Sequence, residues 1–381
     1  MAHSRYDRQQ RIQGWSQEAL AQARVLMVGA GALGNETLKN LVLLGVGHIL
    51  VIDFDRIEPS NLSRTVLFRE SDIGQPKARV AAEAATHLNP EVDIRSIDGD
   101  VFYDVGLGFY RHSDLVIGAL DSVAARSQVG VSCALAGVPF LDGGMWALGG
   151  EVRCFFPGDG PCFECTLNDE DRKRAYERRS CTGFRIQEDD RFPQQVPTTV
   201  TTAAVIGGML AQETVRYLCK WDIRSGEAAV YNGVTLTMHH AALPRNPECP
   251  YHLPYQGIVE LDYSTNKVTA GELLELAEAA LGKPAVLELG RDLLVQLFCH
   301  SCHQQENVGT VLGRVDEAIL TCPHCGKTRE AKIIARLAGH DPYGDRPLSA
   351  LGVPPGEVLA VRSGEHLQLY EFTADVNTFW A

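Results

Sequence analysis

The residues best able to do chemistry crowd into positions 24–77 of a 381-residue chain. An apolar run, Arg24-Val25-Leu26-Met27-Val28, opens into Gly29-Ala30-Gly31-Ala32-Leu33-Gly34. A second apolar run, His48 to Ile52, ends at Asp53, with Asp55, Asn61, Arg64 and Lys77 following. Glycines permit a tight turn and let backbone N–H groups approach a phosphate at the start of a helix. An acid at the end of the next strand accepts hydrogen bonds from a ribose. Turn and acid alone fit a nicotinamide dinucleotide as well as a nucleoside triphosphate. Asn61, Arg64 and Lys77 favour a triphosphate that is held and cleaved, since Arg offers phosphate oxygens a planar fork and Lys a mobile point charge. Taken singly, either cation also reads as an ordinary solvated surface group.

Eleven cysteines form the second chemical feature. Cys299-x-x-Cys302 and Cys322-x-x-Cys325 stand 19 residues apart, the spacing of two knuckles around a tetrahedral Zn2+. Four thiolates close such a site, so its expected role is structural. Cys162-x-x-Cys165 and Cys249-x-x-His252 have the same knuckle spacing, and neither pair completes a site alone. Together they make a three-Cys, one-His Zn2+ site; the competing reading leaves Cys249 and His252 incidental. Cys181 lies in Arg178-Arg179-Ser180-Cys181-Thr182-Gly183. Cationic neighbours favour thiolate, and the spacing leaves open an activated nucleophile or a plain surface cysteine. Cys133, Cys154 and Cys219 sit in apolar surroundings and read as core residues.

The elements that must position these groups alternate. Residues 92–97, 114–118 and 138–141 read as strands, and residues 76–88 and 123–136 as helices. That order predicts an α/β fold, a doubly wound Rossmann-like, mainly parallel sheet with helices on both faces. Its ligand belongs at the carboxyl ends of the strands, where Gly29, Asp53 and Asp121 each follow one. The charge-dense stretch Asp169-Glu170-Asp171-Arg172-Lys173-Arg174 reads as a polar helix or a mobile crossover loop. A fresh start after Pro254, with a strand at 258–263 and an amphipathic helix at 270–281, marks a boundary. Two domains are expected: residues 1–254, and 255–381 as a smaller α+β unit containing a zinc ribbon. Every nucleotide-site residue precedes Pro254, so the first unit is expected to be separable.

Composition is that of a soluble globular chain, 45% hydrophobic and 22% charged. A net charge of −13 argues against nucleic acid or an anionic membrane as main partner. The polar first residues, with no apolar signal core and no spanning run after them, make a cytoplasmic location the expectation.

The motifs fall in a known order: Arg5-Tyr6-Asp7-Arg8-Gln9, the glycine turn, Asp53-Phe54-Asp55, Asn61-Leu62-Ser63-Arg64, Gly74-Gln75-Pro76-Lys77, and Ala119-Leu120-Asp121 through Arg126. In this order they resemble the ubiquitin-activating enzyme superfamily, which includes the molybdopterin- and thiamine-pathway adenylyltransferases. The resemblance covers residues 5–252. It implies that Gly29, Gly31, Gly34, Asp53 and Asp55 form an ATP site and that Asp53 binds the ribose. It implies that Asn61, Arg64 and Lys77 hold the phosphates and that Asp121 positions Mg2+. Arg8 is implied to reach the ATP site of a second subunit, hence a homodimer. Cys162, Cys165, Cys249 and His252 occupy the family's zinc positions, with His departing from the commoner fourth cysteine.

Leu141-Asp142-Gly143-Gly144 and Pro161-Cys162-Phe163-Glu164-Cys165-Thr166 are similar to the branch that activates ubiquitin-like proteins. Cys181-Thr182 falls where that branch carries its thioester cysteine. The large eukaryotic cysteine domain is absent, which makes the chain more like a compact bacterial member. The implied activity is ATP-dependent adenylation of a ubiquitin-like β-grasp protein, thioester formation on Cys181, and transfer to a conjugating enzyme. The alternatives are an adenylyltransferase for a sulfur-carrier protein, a non-catalytic binding subunit, and a nicotinamide dehydrogenase. Residues 347–372 resemble the close of a ubiquitin-fold domain, which recruits the conjugating enzyme in eukaryotic relatives; a stability or dimerisation module is the other reading.

Overall fold

In a computed structural model, residues 4–158, 160–179, 197–223 and 225–380 are described. The first sheet has eight strands: β1 (Arg24–Val28), β2 (His48–Ile52), β3 (Asp93–Ile97), β4 (Leu115–Gly118), β5 (Phe140–Trp146), β6 (Gly149–Phe155), β7 (Glu227–Asn232) and β8 (Thr237–Ala242). Their order is β3-β2-β1-β4-β5-β6-β7-β8. The first five are parallel and the last three run antiparallel.

Strand alternation splits the core into two layers. Val25, Met27, Ile49 and Val51 pack on one face, and Leu26, Val28, Leu50 and Ile52 on the other. Helix α1 (Gln17–Gln22) leads into β1, while α2 (Ala32–Leu44) and α3 (Lys77–Leu88) supply the first layer. Helices α4 (Leu107–Arg111) and α5 (Val123–Ala136) cover the second face. The charge-dense crossover is helical, as α6 (Asp169–Arg179). Helix α7 (Val200–Leu218) returns to the first layer.

The second sheet starts with β9 (Ile258–Leu261), and α8 (Ala270–Leu281) follows behind a Thr269/Glu272 capping box. Strands β10 (Val286–Phe298), β11 (Gln305–Val311), β12 (Glu330–Ala338), β13 (Val358–Ser363) and β14 (His366–Phe372) complete it, with β9 parallel to β14. Strand β10 ends at the Cys299 knuckle.

Helix α9 (Thr373–Trp380) crosses from the second sheet back to the first unit. Val376 and Trp380 are buried in the second layer of the first sheet, with Val101, Phe109 and Tyr110. The Phe109 and Phe379 rings meet edge to face at 5.4 Å. The β3-to-β4 crossover holds only the short α4, and α9 packs on it. Backbone joins backbone there: Gly106 N–H donates to Pro355 O (3.0 Å) and Gly108 N–H to Gly356 O (2.8 Å). A Cβ on Gly106 would lie 2.3 Å from Glu357 N, so this approach requires glycine. Beneath it, Arg111 pairs with the fully buried Glu371, whose Oε1 is 2.9 Å from His112 Nε2. Arg111, His112, Glu260 and Glu371 thus form an interface ion cluster.

Candidate functional site

The glycine turn joins β1 to α2. Gly29 has φ +100 and its N–H donates to Ile52 O (2.8 Å). A Cβ on Gly29 would meet Ala119 O at 2.4 Å, and one on Gly34 would meet Gly29 O at 2.1 Å. Neither tolerates a side chain. Gly31, which caps α2, has nothing within 4 Å of that position. The chain is therefore packed behind the turn and open in front of it, the form of an anion cradle at a helix N-terminus.

Asp53 stands at the end of β2. Its Oδ2 accepts from Ala30 N–H (2.7 Å) and its Oδ1 from Asp55 N–H (2.8 Å). Burial pushes its carboxyl above the usual value; the Ala30 N–H and the Lys77 charge oppose that. Lys77, the first residue of α3, places Nζ 2.6 Å from Asp55 Oδ2. Asn61 accepts from Glu58 N–H (2.9 Å), and Arg64 donates to Ser60 O (2.6 Å), so both brace a short arm between β2 and α3. Asp121 is exposed in the bend between β4 and α5, two residues beyond the Ala119 carbonyl that abuts Gly29. Gly29, Gly31, Gly34, Asp53, Asp55 and Lys77 come together at the carboxyl edge of the sheet, with Asp121 beside them.

Arg8 does not join them in the same chain. It is exposed in a segment held to the far ends of two helices: Arg5 donates to Leu88 O (3.2 Å) and Gln9 to Leu44 O (2.9 Å). Leu44 closes the 13-residue α2, about 18 Å from its start at the usual rise. Cys181 lies outside the described residues.

Both predicted thiol clusters form. The ligand atoms of Cys162, Cys165, Cys249 and His252 lie within 4.8 Å of one another, as do those of Cys299, Cys302, Cys322 and Cys325. Sulfur separations are 3.8 Å for Cys162–Cys165, 3.5 Å for Cys162–Cys249, 3.5 Å for Cys299–Cys325 and 3.6 Å for Cys302–Cys322. Tetrahedral Zn2+ with bonds of about 2.3 Å sets sulfurs about 3.8 Å apart, so both sets fit the ion. Burial, then the neighbouring sulfurs of Cys249 and Cys165, push the Cys162 thiol well up. A bound divalent cation reverses that preference.

Other groups escaped the sequence reading. Asn35, fully buried on α2, bonds to the turn and to the arm. Asp142 is also fully buried and binds two arginines: Arg126 at 2.9 Å and Arg153 at 2.6 Å. Arg126 also donates to Leu120 O, beside Asp121, and the Arg153 guanidinium lies over the Phe163 ring at 5.0 Å. A chain of contacts thus runs from the first zinc knuckle to the Asp121 bend. Asp142 is a lone acid inside an apolar strand, a signal of its own, whereas Asn35 opens the polar run Asn35-Glu36-Thr37 and has no such signal.

Fold and site define an α/β nucleotide-type protein with two thiol-rich clusters that could each hold a metal ion. The chain belongs to the ThiF family, which matches residues 6–251, within the E1-like adenylyltransferase superfamily. It is 31% identical over 251 residues to the molybdopterin-synthase adenylyltransferase of Escherichia coli (strain K12), covering 64% of this chain and 94% of that protein. It is 42% identical over 143 residues to SUMO-activating enzyme subunit 2 of Dictyostelium discoideum, covering 37% of this chain and 22% of that protein. The fold is shared with the crystal structure of E. coli MccB with AMPCPP and MccA: TM-score 0.54, 22% identity, 66% of this chain and 74% of that one. No helix among the described residues is long and apolar enough to cross a membrane.

Proposed function

We propose that this chain adenylates the C-terminal carboxylate of a ubiquitin-like β-grasp protein. The carrying observation is the open-fronted glycine turn flanked by Asp53, Asp55 and Lys77 in a ThiF-family chain. Turn N–H groups and the positive end of α2 receive phosphate oxygens. The Asp53 carboxylate, exchanging its Ala30 bond, accepts from the ribose hydroxyls. Lys77, Arg64 and Asn61 hold the β- and γ-phosphates. Asp121 would hold Mg2+, which would supply positive charge against the phosphates. A carboxylate oxygen of the partner attacks the α-phosphorus, the bond to the β-phosphate oxygen breaks, and pyrophosphate departs with both electrons. The cations act where charge builds up.

Arg8 serves the site of a second copy, because its own segment is anchored a helix length away; the working form is a homodimer. Trp146, Leu148, Val234, Leu236 and Met238, exposed around the β5–β6 and β7–β8 turns, offer an apolar face to a β-grasp partner. Two structural Zn2+ ions staple the knuckles.

In the finer reading the Cys181 thiolate attacks the acyl carbon, AMP leaves, and the thioester passes to a conjugating enzyme. The basic residues around Cys181 support a low thiol pKa. The C-terminal unit is a stability module in this reading, since α9 is buried in the first core. A second reading, activation of a sulfur-carrier protein without thioester on Cys181, is favoured by the E. coli relative aligning over 94% of its length.

One experiment separates them. The chain is mixed with small β-grasp proteins and MgATP, followed by pyrophosphate exchange and non-reducing gels. Retained exchange in Cys181→Ala, with loss of a thiol-labile adduct that wild type forms, is the expected result. Adenylate accumulating in wild type with no adduct establishes the sulfur-carrier reading. An adduct that survives in Cys181→Ala moves the nucleophile to another cysteine. No exchange with any β-grasp protein overturns the proposal.

A further inference from the structure

We infer that Asn35 is a positioning residue that aims both walls of the phosphate half of the site. This rests on the nucleotide reading above and adds a residue to it. Asn35 is the fourth residue of α2 and is fully buried. Its Nδ2 donates to Ala30 O (2.7 Å) and Gly31 O (3.2 Å). Its Oδ1 accepts from Leu67 N–H (2.9 Å). The amide orientation is fixed by these partners, because a flipped amide would face two carbonyls with oxygen and an N–H with NH2.

The donor bonds set where the turn points. In a trans peptide the C=O and the next N–H face opposite ways. Drawing Ala30 O back toward Asn35 turns Gly31 N–H forward; Gly31 O is drawn back by the Asn35 backbone N–H as well (2.8 Å), so the side chain governs the Gly31 N–H above all. Forward is the open side, where a Gly31 Cβ would meet nothing within 4 Å. The acceptor bond fixes the other wall. Leu67 follows the arm of Asn61 and Arg64, which is closed internally by Thr65 Oγ1 donating to Asn61 O (3.0 Å). Through one side chain, the N–H cradle and the cation-bearing arm keep a fixed separation. Asp53, by contrast, is held by Ala30 and Asp55 without Asn35. Loss of Asn35 should therefore harm recognition of phosphates and spare recognition of the nucleoside.

The test compares ATP with adenosine on the full-length protein, by calorimetry and by pyrophosphate exchange. In Asn35→Ala the Kd and KM for ATP should rise about tenfold or more, the loss expected of removed buried hydrogen bonds, with adenosine binding changed less than about twofold. Asn35→Asp is nearly isosteric and keeps the acceptor for Leu67, but two carbonyls facing a buried acid hold it protonated, so at most one of the two donors remains. It should fold and show the same selective loss, so it decides the matter if Asn35→Ala does not fold. Equal weakening of ATP and adenosine, or a lowered melting temperature with unchanged ATP affinity, overturns the inference and leaves Asn35 as fold glue. Wild-type protein binding neither ligand overturns the nucleotide reading itself, a distinct failure.

Discussion

Lys77 holds its ammonium 2.6 Å from the Asp55 carboxylate while its own N–H donates to the Asp55 carbonyl at 2.9 Å. The first turn of α3 is thus pinned to the end of β2, and the lysine charge is parked at the mouth of the site. Asp55 is half exposed, so the pair contributes at most about 1 kcal/mol to stability. Lys77→Met should lower pyrophosphate exchange about 100-fold or more, the range for losing a charged transition-state contact. Its melting temperature should stay within about 2 °C of wild type. A variant keeping above about a tenth of wild-type exchange refutes the assignment of Lys77 to the phosphates.

Arg8 and Lys77 should complement between subunits. Arg8→Ala and Lys77→Met homodimers should each be inactive. In the mixed dimer one site has its own Lys77 and the intact partner's Arg8. Subunit exchange at equal amounts should restore about a quarter of wild-type exchange, given half mixed dimers with one good site each. Continued inactivity after verified exchange places Arg8 outside the active site.

Elemental analysis should return two zinc ions per chain. Cys322→Ser should lose one and Cys249→Ser the other, because the two ligand sets share no residue. Folding and metal binding are coupled at such sites, so a strong chelator should lower the melting temperature. A single ion in wild type contradicts one of the two sets.

Acid should loosen the seam between α4 and β14. Burial, then the Arg111 charge, hold His112 below the usual 6.5; Arg24 adds to this, while Glu260 and the Glu371 carboxylate 2.9 Å away oppose it. A histidine with a lowered folded pKa contributes stability that is complete above its unfolded value and is lost as pH falls through the folded one. The melting temperature should therefore drop as pH falls below about 6.5. In His112→Gln the dependence should be shallower. An equal slope in both proteins assigns the acid sensitivity to other groups.

Much of the first sheet was legible because local chemistry and pattern agree there. The glycine turn, the Asp53 strand end and the Ser122–Gly137 limits of α5 each carry their own signal. Cysteine spacing pointed to both thiol clusters, though the pairing of Cys162 and Cys165 with Cys249 and His252 was one of two readings that spacing allowed. Asn35 was not singled out, and Asp142 only within the Leu141–Gly144 motif and without a role, since their partners are backbone groups and arginines brought near only by the fold. Helix α9 was missed for a related reason. Its apolar positions Val376, Phe379 and Trp380 span little more than one turn, too short a period to read, and what they pack on lies elsewhere in the chain.

That helix also decides how the molecule holds together. Trp380→Ala should cost about 3–5 kcal/mol, the range for emptying a large aromatic site. The loss should appear in the unfolding of the nucleotide-site unit. Arg24 donates to the Trp380 carbonyl across 356 positions of sequence. Strand β1 is therefore finished by a segment far along the chain, and closing so long a loop makes completion of this core a late event. Calorimetry should show one transition for both sheets. A chain clipped between β8 and β9 should remain a single particle on gel filtration, its fragments clasped by α9, and the two pieces expressed separately should reassemble.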